Sequence, residues 1–145
     1  MAENIEKEAK KKTNGSKEFF SGTGRRKTAV ARVRLTLGKG EFLVNEKPYT
    51  EVFNDPISRK IIQEPFFVAA RIDTFTANVK LAGGGIKAQA EAIAHGVSRA
   101  LVAYDEALRS PLAKASLLTR DSRMKESRKY GLAGKARRGK QSPKR

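Results

Sequence analysis

Residues 75–108 read FTANVKLAGGGIKAQAEAIAHGVSRALVAYDEAL, and the hydrophobic period changes in the middle of that stretch. Phe75, Ala77, Val79 and Leu81 alternate with Thr76, Asn78 and Lys80, the period of two of a half-buried strand. The strand runs directly into Gly83-Gly84-Gly85. Beyond it, Ile86, Ala90, Ile93, Val97, Ala100, Leu101, Tyr104 and Leu108 recur at spacings of three and four, which predicts a long helix with a broad apolar stripe that must pack on a sheet. Pro111 is expected to limit this helix, with a further turn over 112–118. Upstream, regular structure is expected from near Gly24. Ala29, Ala31, Val33, Leu35 and Leu37 alternate with Thr28, Val30, Arg32, Arg34 and Thr36, Gly38-Lys39-Gly40 turns the chain, and Phe42 and Val44 continue the alternation, so 29–45 reads as an antiparallel hairpin. Asp55-Pro56 is a helix start, an acceptor followed by proline at the first helical position. Ile57, Ile61 and Ile62 are expected on one side of that helix, and Pro65 is expected to interrupt it. Strands and helices in this order, without an internal repeat, give an α+β fold.

Charge says more about partners than about the fold. The 145 residues carry 31 Lys or Arg against 15 Asp or Glu, a formal net charge of +16. Self-repulsion of that size gives an isolated enzyme nothing, whereas a polyanion neutralises it and releases counterions. The last 18 residues, Arg128 to Arg145, hold eight Lys or Arg and no acid, with only Tyr130 and Leu132 as sizeable apolar groups. Such a segment cannot bury enough surface to fold alone, so it reads as an arm that reaches roughly 60 Å if fully extended. The resulting division is a flexible N-terminal extension over 1–18, with a short helix possible between Glu3 and Lys12, a globular domain over 19–118, and an extended basic tail over 119–145. No cysteine is present, which excludes disulfides and thiolate metal sites. No run of about 18 apolar residues and no apolar segment of signal-peptide type occurs, so the expected location is the cytoplasm.

Gly83, Gly85 and Ala88 match a dinucleotide fingerprint, but no second parallel strand follows the helix, and Asp105 lies on that helix rather than at a strand end. Two readings stand: a tight turn that lets helix and sheet pack closely, or backbone amides that bind an RNA phosphate. His95, the sole histidine, has Glu91 and Arg99 four residues to either side, which reads as a polar helix face and not as a catalytic or metal-binding group. Asp105 and Glu106 are adjacent on a helix, diverge by about 100° and cannot share a substrate. No cofactor and no metal are expected. Arg25, Arg26 and Lys27 cluster before the first expected strand, and Arg32 and Arg34 extend the charge along its second face, a basic patch suited to phosphates. The paired aromatics of an RNA-recognition motif are absent, so shape and backbone recognition is the expected mode.

Several motifs in order resemble those of bacterial small-subunit ribosomal protein nine, the S-nine family. They are Gly22-Thr23-Gly24-Arg25-Arg26-Lys27-Thr28-Ala29-Val30-Ala31-Arg32-Val33, the triple glycine with Gln89-Ala90, Ala92-Ile93, His95-Gly96-Val97 and Arg99-Ala100-Leu101, then Thr119-Arg120-Asp121-Ser122-Arg123, Arg128-Lys129-Tyr130-Gly131 and Lys135-Ala136-Arg137-Arg138. The resemblance implies a small mixed sheet with helices packed on one face, the fold shared with the second domain of small-subunit ribosomal protein five and with some phosphotransferases. It also implies a place in the head of the small subunit among neighbouring ribosomal proteins. Binding to small-subunit rRNA would fall to Arg25, Arg26, Lys27, Arg32, Arg120, Arg123, Arg128, Lys129, Lys135, Arg137 and Arg138, and contact with peptidyl-site tRNA to Lys144 and Arg145. The alternatives are a free nucleic-acid-binding chaperone, which would share the charge and the arms, and a phosphotransferase-like enzyme, which would need a positioned base and metal-binding acids that the sequence does not offer.

Overall fold

The computed structural model describes residues 19–72, 74–132 and 135–137; the expected extension over 1–18, with its possible helix, lies outside them, as do Arg138, Lys144 and Arg145. Five strands form one mixed sheet: β1 (Phe19–Arg26), β2 (Ala29–Leu37), β3 (Phe42–Val44), β4 (Lys47–Pro48) and β5 (Phe75–Ala82). Their order is β1-β2-β5-β3-β4, antiparallel except where β3 runs parallel to β5. The helices are α1 (Tyr49–Val52), α2 (Pro56–Val68), α3 (Ile86–Tyr104) and α4 (Arg109–Lys114), with a 3-10 turn at Glu106–Leu108 before α4. The α+β class and the mixed sheet are as expected.

One face of the sheet holds the core. Ala29, Ala31, Val33 and Leu35 of β2 and Ala77 and Val79 of β5 are fully or almost fully buried there, against Ala90, Ile93, Val97, Ala100 and Leu101 of α3. Removing a Leu- or Ile-sized side chain from water contributes about 1.5–3 kcal/mol, so this row sets the helix orientation. Tyr104 closes one end of the layer, edge-on to Phe20 of β1 at 5.1 Å and to Phe75 of β5 at 5.0 Å.

The closest approach is between α3 and β1. Gly22 and Gly24 face the helix, where a Cβ on Gly22 would meet the Ala100 nitrogen at 2.7 Å and one on Gly24 would run into the Ala92 carbonyl oxygen and the Gly96 nitrogen. Gly96 is equally constrained, with Val33 Cγ2 2.7 Å from the position of its missing Cβ. Backbone therefore packs on backbone.

Several local expectations change. Strand structure begins at Phe19, not near Gly24, and Arg25 and Arg26 lie within β1 rather than ahead of the first strand. Residues 29–45 do not form a hairpin, because β5 lies between β2 and β3. The reason is length: β5 pairs with β2 over eight positions, from Val30 opposite Ala82 to Leu37 opposite Phe75, and three-residue β3 has no comparable ladder to offer. The Gly38 N–H donates to Thr74 O at 3.0 Å, fastening the turn to β5. Asp55 caps α2 as expected, accepting from the Ile57 N–H at 3.3 Å and the Ser58 hydroxyl at 3.2 Å. Pro65 does not interrupt α2; its ring is buried near the end of the helix, and that burial offsets one missing hydrogen bond. Ile57 and Ile86, expected on apolar faces, are exposed. Pro111 lies inside α4, whose end is set by Ser116 at φ +59, with the Leu117 N–H donating to Leu112 O and the Ser116 N–H to Ala113 O.

The backbone contact between β1 and α3 makes Gly24→Ala a severe change, with a loss of about 3 kcal/mol or more and a fall in Tm on the order of 10 °C. Gly85→Ala is the control. No atom lies within 4 Å of the added Cβ there, and because Gly85 is the N-cap of α3 the change should cost no more than about 1 kcal/mol, the loss of a favourable cap residue. Thermal melts of the two variants decide the matter, and equal stability would remove the close approach as a constraint.

Candidate nucleic-acid interface

With the helices on one face, the other face of the sheet is open. Directly paired residues share a face, so Thr23, Arg32 and Lys80 form one row across β1, β2 and β5, and Ser21, Arg34 and Asn78 form the next. All six are exposed. Arg25, also exposed, extends the set toward the β1–β2 turn, where Lys27 occupies a two-residue loop at φ +50. No Asp or Glu lies within these three strands. Like charges directly opposite one another oppose sheet formation by a few tenths of a kcal/mol or more, so Arg32 beside Lys80 is a charge arrangement without an acidic partner among the described residues. Only Arg34 has an aromatic partner, its guanidinium lying 5.2 Å from the centroid of the Phe19 ring.

Arg26 is different. Alternation along β1 turns it to the helix face, where its Nε pairs with Glu91 of α3 and its Nη1 lies 2.6 Å from Asp121 Oδ2. The Nη1 contact is an ion pair off hydrogen-bonding geometry. Sequence reasoning puts Arg25, Arg26 and Lys27 together as one basic cluster; the structure sends Arg25 to the open face, Lys27 to the turn and Arg26 inward.

The edge of β1 is covered by side chains of α3. Arg99 Nη1 donates to Thr23 O at 2.7 Å, and the Arg25 N–H donates to His95 Nδ1 at 3.4 Å. These contacts occupy edge groups that would otherwise invite another strand. His95 therefore has a structural task. Burial, and then the charge of Arg99, hold its pKa below the ordinary value of 6.5; a backbone hydrogen bond with Leu118 partly offsets this, and Arg120 adds to the depression.

Beyond Leu118 the described chain has no helix or strand. Arg120, Arg128, Lys129 and Lys135 are exposed. Asp121 accepts from the Arg123 N–H at 2.9 Å and from Arg123 Nη2 at 2.6 Å, so its carboxyl stays far below the usual carboxylate range, chiefly through Arg123 and to a lesser extent through Arg26. Arg137 reaches back to Glu126, with Nε 2.8 Å from Oε2. Between them the Lys129 N–H donates to Lys135 O at 3.1 Å and Gly131 turns at φ +79, so part of the tail folds back on itself. The sequence puts Arg34 on the basic face without marking it as a site residue, and shows Lys80 only as an outward strand residue. The place of Lys80 beside Arg32 comes from the β2–β5 pairing, which the sequence does not reveal.

Gly83 and Gly84 adopt φ of +71 and +73, and a Cβ on Gly84 would lie 2.6 Å from Ala29 Cβ. Close packing against the start of β2 accounts for the glycines without a nucleotide. Among the described residues no group of three or more His, Cys, Asp or Glu could hold a metal ion, and no helix is long and apolar enough to cross a membrane.

The family model described as ribosomal protein S9/S16 matches residues 24–145. The chain is 50% identical over 119 residues to the small ribosomal subunit protein uS9 of Solidesulfovibrio magneticus, an alignment that covers 82% of this chain and 92% of the relative. It is 48% identical, over the same length and with the same coverage, to the protein of that name from Maridesulfovibrio salexigens.

His95 also generates a pH dependence. A histidine with a folded pKa below its unfolded value contributes stability that is complete above about pH 6.5 and declines as pH falls below it, because the unfolded chain then binds the proton more readily. The protein should therefore melt at lower temperature at pH 5 than at pH 7.5. Since His95 is the sole histidine, His95→Gln should abolish most of that difference while costing little at pH 7.5. Melts of both proteins at the two pH values measure it, and an identical pH dependence in the variant would rule out the assignment.

Proposed function

The chain belongs to the ribosomal protein S9/S16 family, and from this premise we propose that its open sheet face and its tail bind small-subunit rRNA, while the tip of the tail contacts peptidyl-site tRNA. The family makes it a structural protein of the small subunit of the cytoplasmic ribosome and not an enzyme. Small-subunit rRNA and neighbouring ribosomal proteins are the partners that membership implies.

The observation that carries the RNA reading is the row of Arg32 and Lys80, with Arg34 and Arg25 near it, on a face free of acids. Phosphates supply the missing countercharge. Thr23, Ser21 and Asn78 lie in the same rows and offer neutral donors to phosphate or ribose oxygens. The scarcity of aromatic groups on this face favours recognition of backbone and shape over base stacking. Lys27 projects from the adjoining turn, and Arg120, Arg123, Arg128, Lys129, Lys135 and Arg137 continue the cationic surface along the tail, with Arg138 beyond the described residues. Arg123 and Arg137 are held by Asp121 and Glu126, but each is 83% exposed, and ion pairs so open to water are weak enough for phosphate to replace the carboxylate. The body over 19–118 thus fixes the protein on RNA, and the arm over 119–145 extends the contact. Lys144 and Arg145 would carry the tRNA contact at its tip.

Arg32→Gln and Lys80→Gln should each weaken rRNA binding and lower the slope of log K against log salt by about 0.9 on duplex or about 0.7 on single-stranded targets. Titrations of an rRNA fragment at several salt concentrations give the slope; an unchanged slope in both variants would remove the open face from the interface.

Deleting Lys144 and Arg145 should leave subunit assembly intact and weaken tRNA retention in the peptidyl site. The loss should shrink as salt rises, because the deleted contacts are ionic. Filter binding of tRNA to programmed subunits measures it, and unaltered affinity at low salt would exclude the tip.

A further inference from the structure

We propose that Arg26 is a positioning residue that fixes where the basic tail leaves the body, by clamping Asp121, and that it does not itself bind phosphate. Three observations converge. The Arg26 side chain is only 12% exposed, against 83% for Arg123 and for Arg137. Its guanidinium joins three segments: it grows from the last residue of β1, pairs with Glu91 on α3 and reaches Asp121 at the root of the tail. Its two ion-pair partners among the described residues are carboxylates, so its charge is already matched there, whereas Arg25 on the opposite face has no such partner among those residues.

The chain approaching Asp121 is anchored as well. The turn at Ser116 ends α4, and Leu117 and Leu118 pack half-buried against the core, so the path is directed up to three residues before the clamp. Asp121 then orders the next residues by accepting from the backbone N–H and the guanidinium of Arg123. Without Arg26 the tail would still be tethered at Leu118, but its direction beyond would be free. With it, the tail starts beside the end of β1, next to the β1–β2 turn that carries Lys27. Body and tail cations are then presented to one polyanion in a fixed relation, which raises the effective concentration of one contact set once the other is engaged.

The carboxylate is ionised far below neutrality, chiefly through Arg123 and also through Arg26. The clamp therefore holds across the physiological pH range and is not a pH switch.

Two measurements on the full chain separate this role from the RNA reading, on which the second measurement rests. The chain has no cysteine, so Ala103→Cys on exposed α3 surface and Lys125→Cys in the tail allow specific spin labelling in the absence of RNA. The distance distribution should be narrow with Arg26 and Asp121 intact and should broaden in both Arg26→Gln and Asp121→Asn, the latter leaving β1 untouched should the former fold poorly. The double variant should be no broader than either single one. Unchanged distributions in the single variants would overturn the proposal whatever the RNA results. Against an rRNA fragment, both variants should lose affinity, on the order of tenfold, with the slope of log K against log salt unchanged in Arg26→Gln. A slope lowered by about 0.7–0.9 in Arg26→Gln would show that Arg26 touches phosphate, and that outcome would equally overturn the proposal.

Discussion

The contact of α3 on β1 through Gly22, Gly24 and Gly96 governs where the polar groups around it can go. Because backbone meets backbone there, the helix lies low over the edge of the sheet and its neighbouring side chains come within reach of the strand. That is why Arg99 and His95 can bond to edge groups of β1 and Arg26 can find Glu91. Raise the helix by one methyl layer and these polar contacts lengthen together. The price of such packing is a strand with almost no apolar side chain of its own, and Tyr104 compensates by standing between Phe20 and Phe75 at the far end. A single packing constraint thus fixes which polar groups cover the free edge of β1.

The same constraint separates the charges. The buried core, and the matched charges of Arg26, Glu91 and Asp121, lie on or beside the helix face, while Arg25, Arg32, Arg34 and Lys80 are left on the open face with Phe19. Like charges opposite one another on a sheet reduce its stability slightly, and full exposure to water and salt keeps that loss small. A surface of this kind is tolerated by the free protein and becomes favourable when a polyanion covers it.

How much of this is legible in the sequence depends on what each segment shows to a periodicity reading. β2, β5 and α3 are plain, because Val33, Leu35, Val79, Ile93, Val97 and Leu101 are large apolar residues at the right spacing. Arg32 and Arg34 can be placed on a common outward face for the same reason. β1 escapes because its inward residues after Phe20 are Gly22 and Gly24, which carry no hydrophobic signal and have poor strand propensity. The false hairpin over 29–45 has correct local alternation. What it lacks is any sign that β5, far along the chain, offers β2 a ladder of eight positions. Lys80 cannot be joined to Arg32 before that pairing is known. Within one run of three cations, Arg26 is indistinguishable from Arg25 and Lys27, since strand phase depends on locating β1 and its partner in Asp121 lies 95 residues later.

The tail raises the complementary question of why a segment so rich in cations retains Asp121 and Glu126 at all. Both carboxylates hold arginines, yet their surroundings differ. Among the described residues Glu126 meets only the exposed Arg137, so an anion that competed for that guanidinium would displace the carboxylate at little cost. Asp121 meets the exposed Arg123 on one side and the nearly buried Arg26 on the other. Removing Asp121 would strand Arg26, largely out of water, with Glu91 alone, and breaking one side of a poorly solvated ion network is costly in a way that breaking an exposed pair is not. Exchange with phosphate therefore becomes easier along the tail from Asp121 toward Arg137. The difference gives the described part of the tail a firmly held root at Asp121 and a more available charge at Arg137, from internal carboxylates alone.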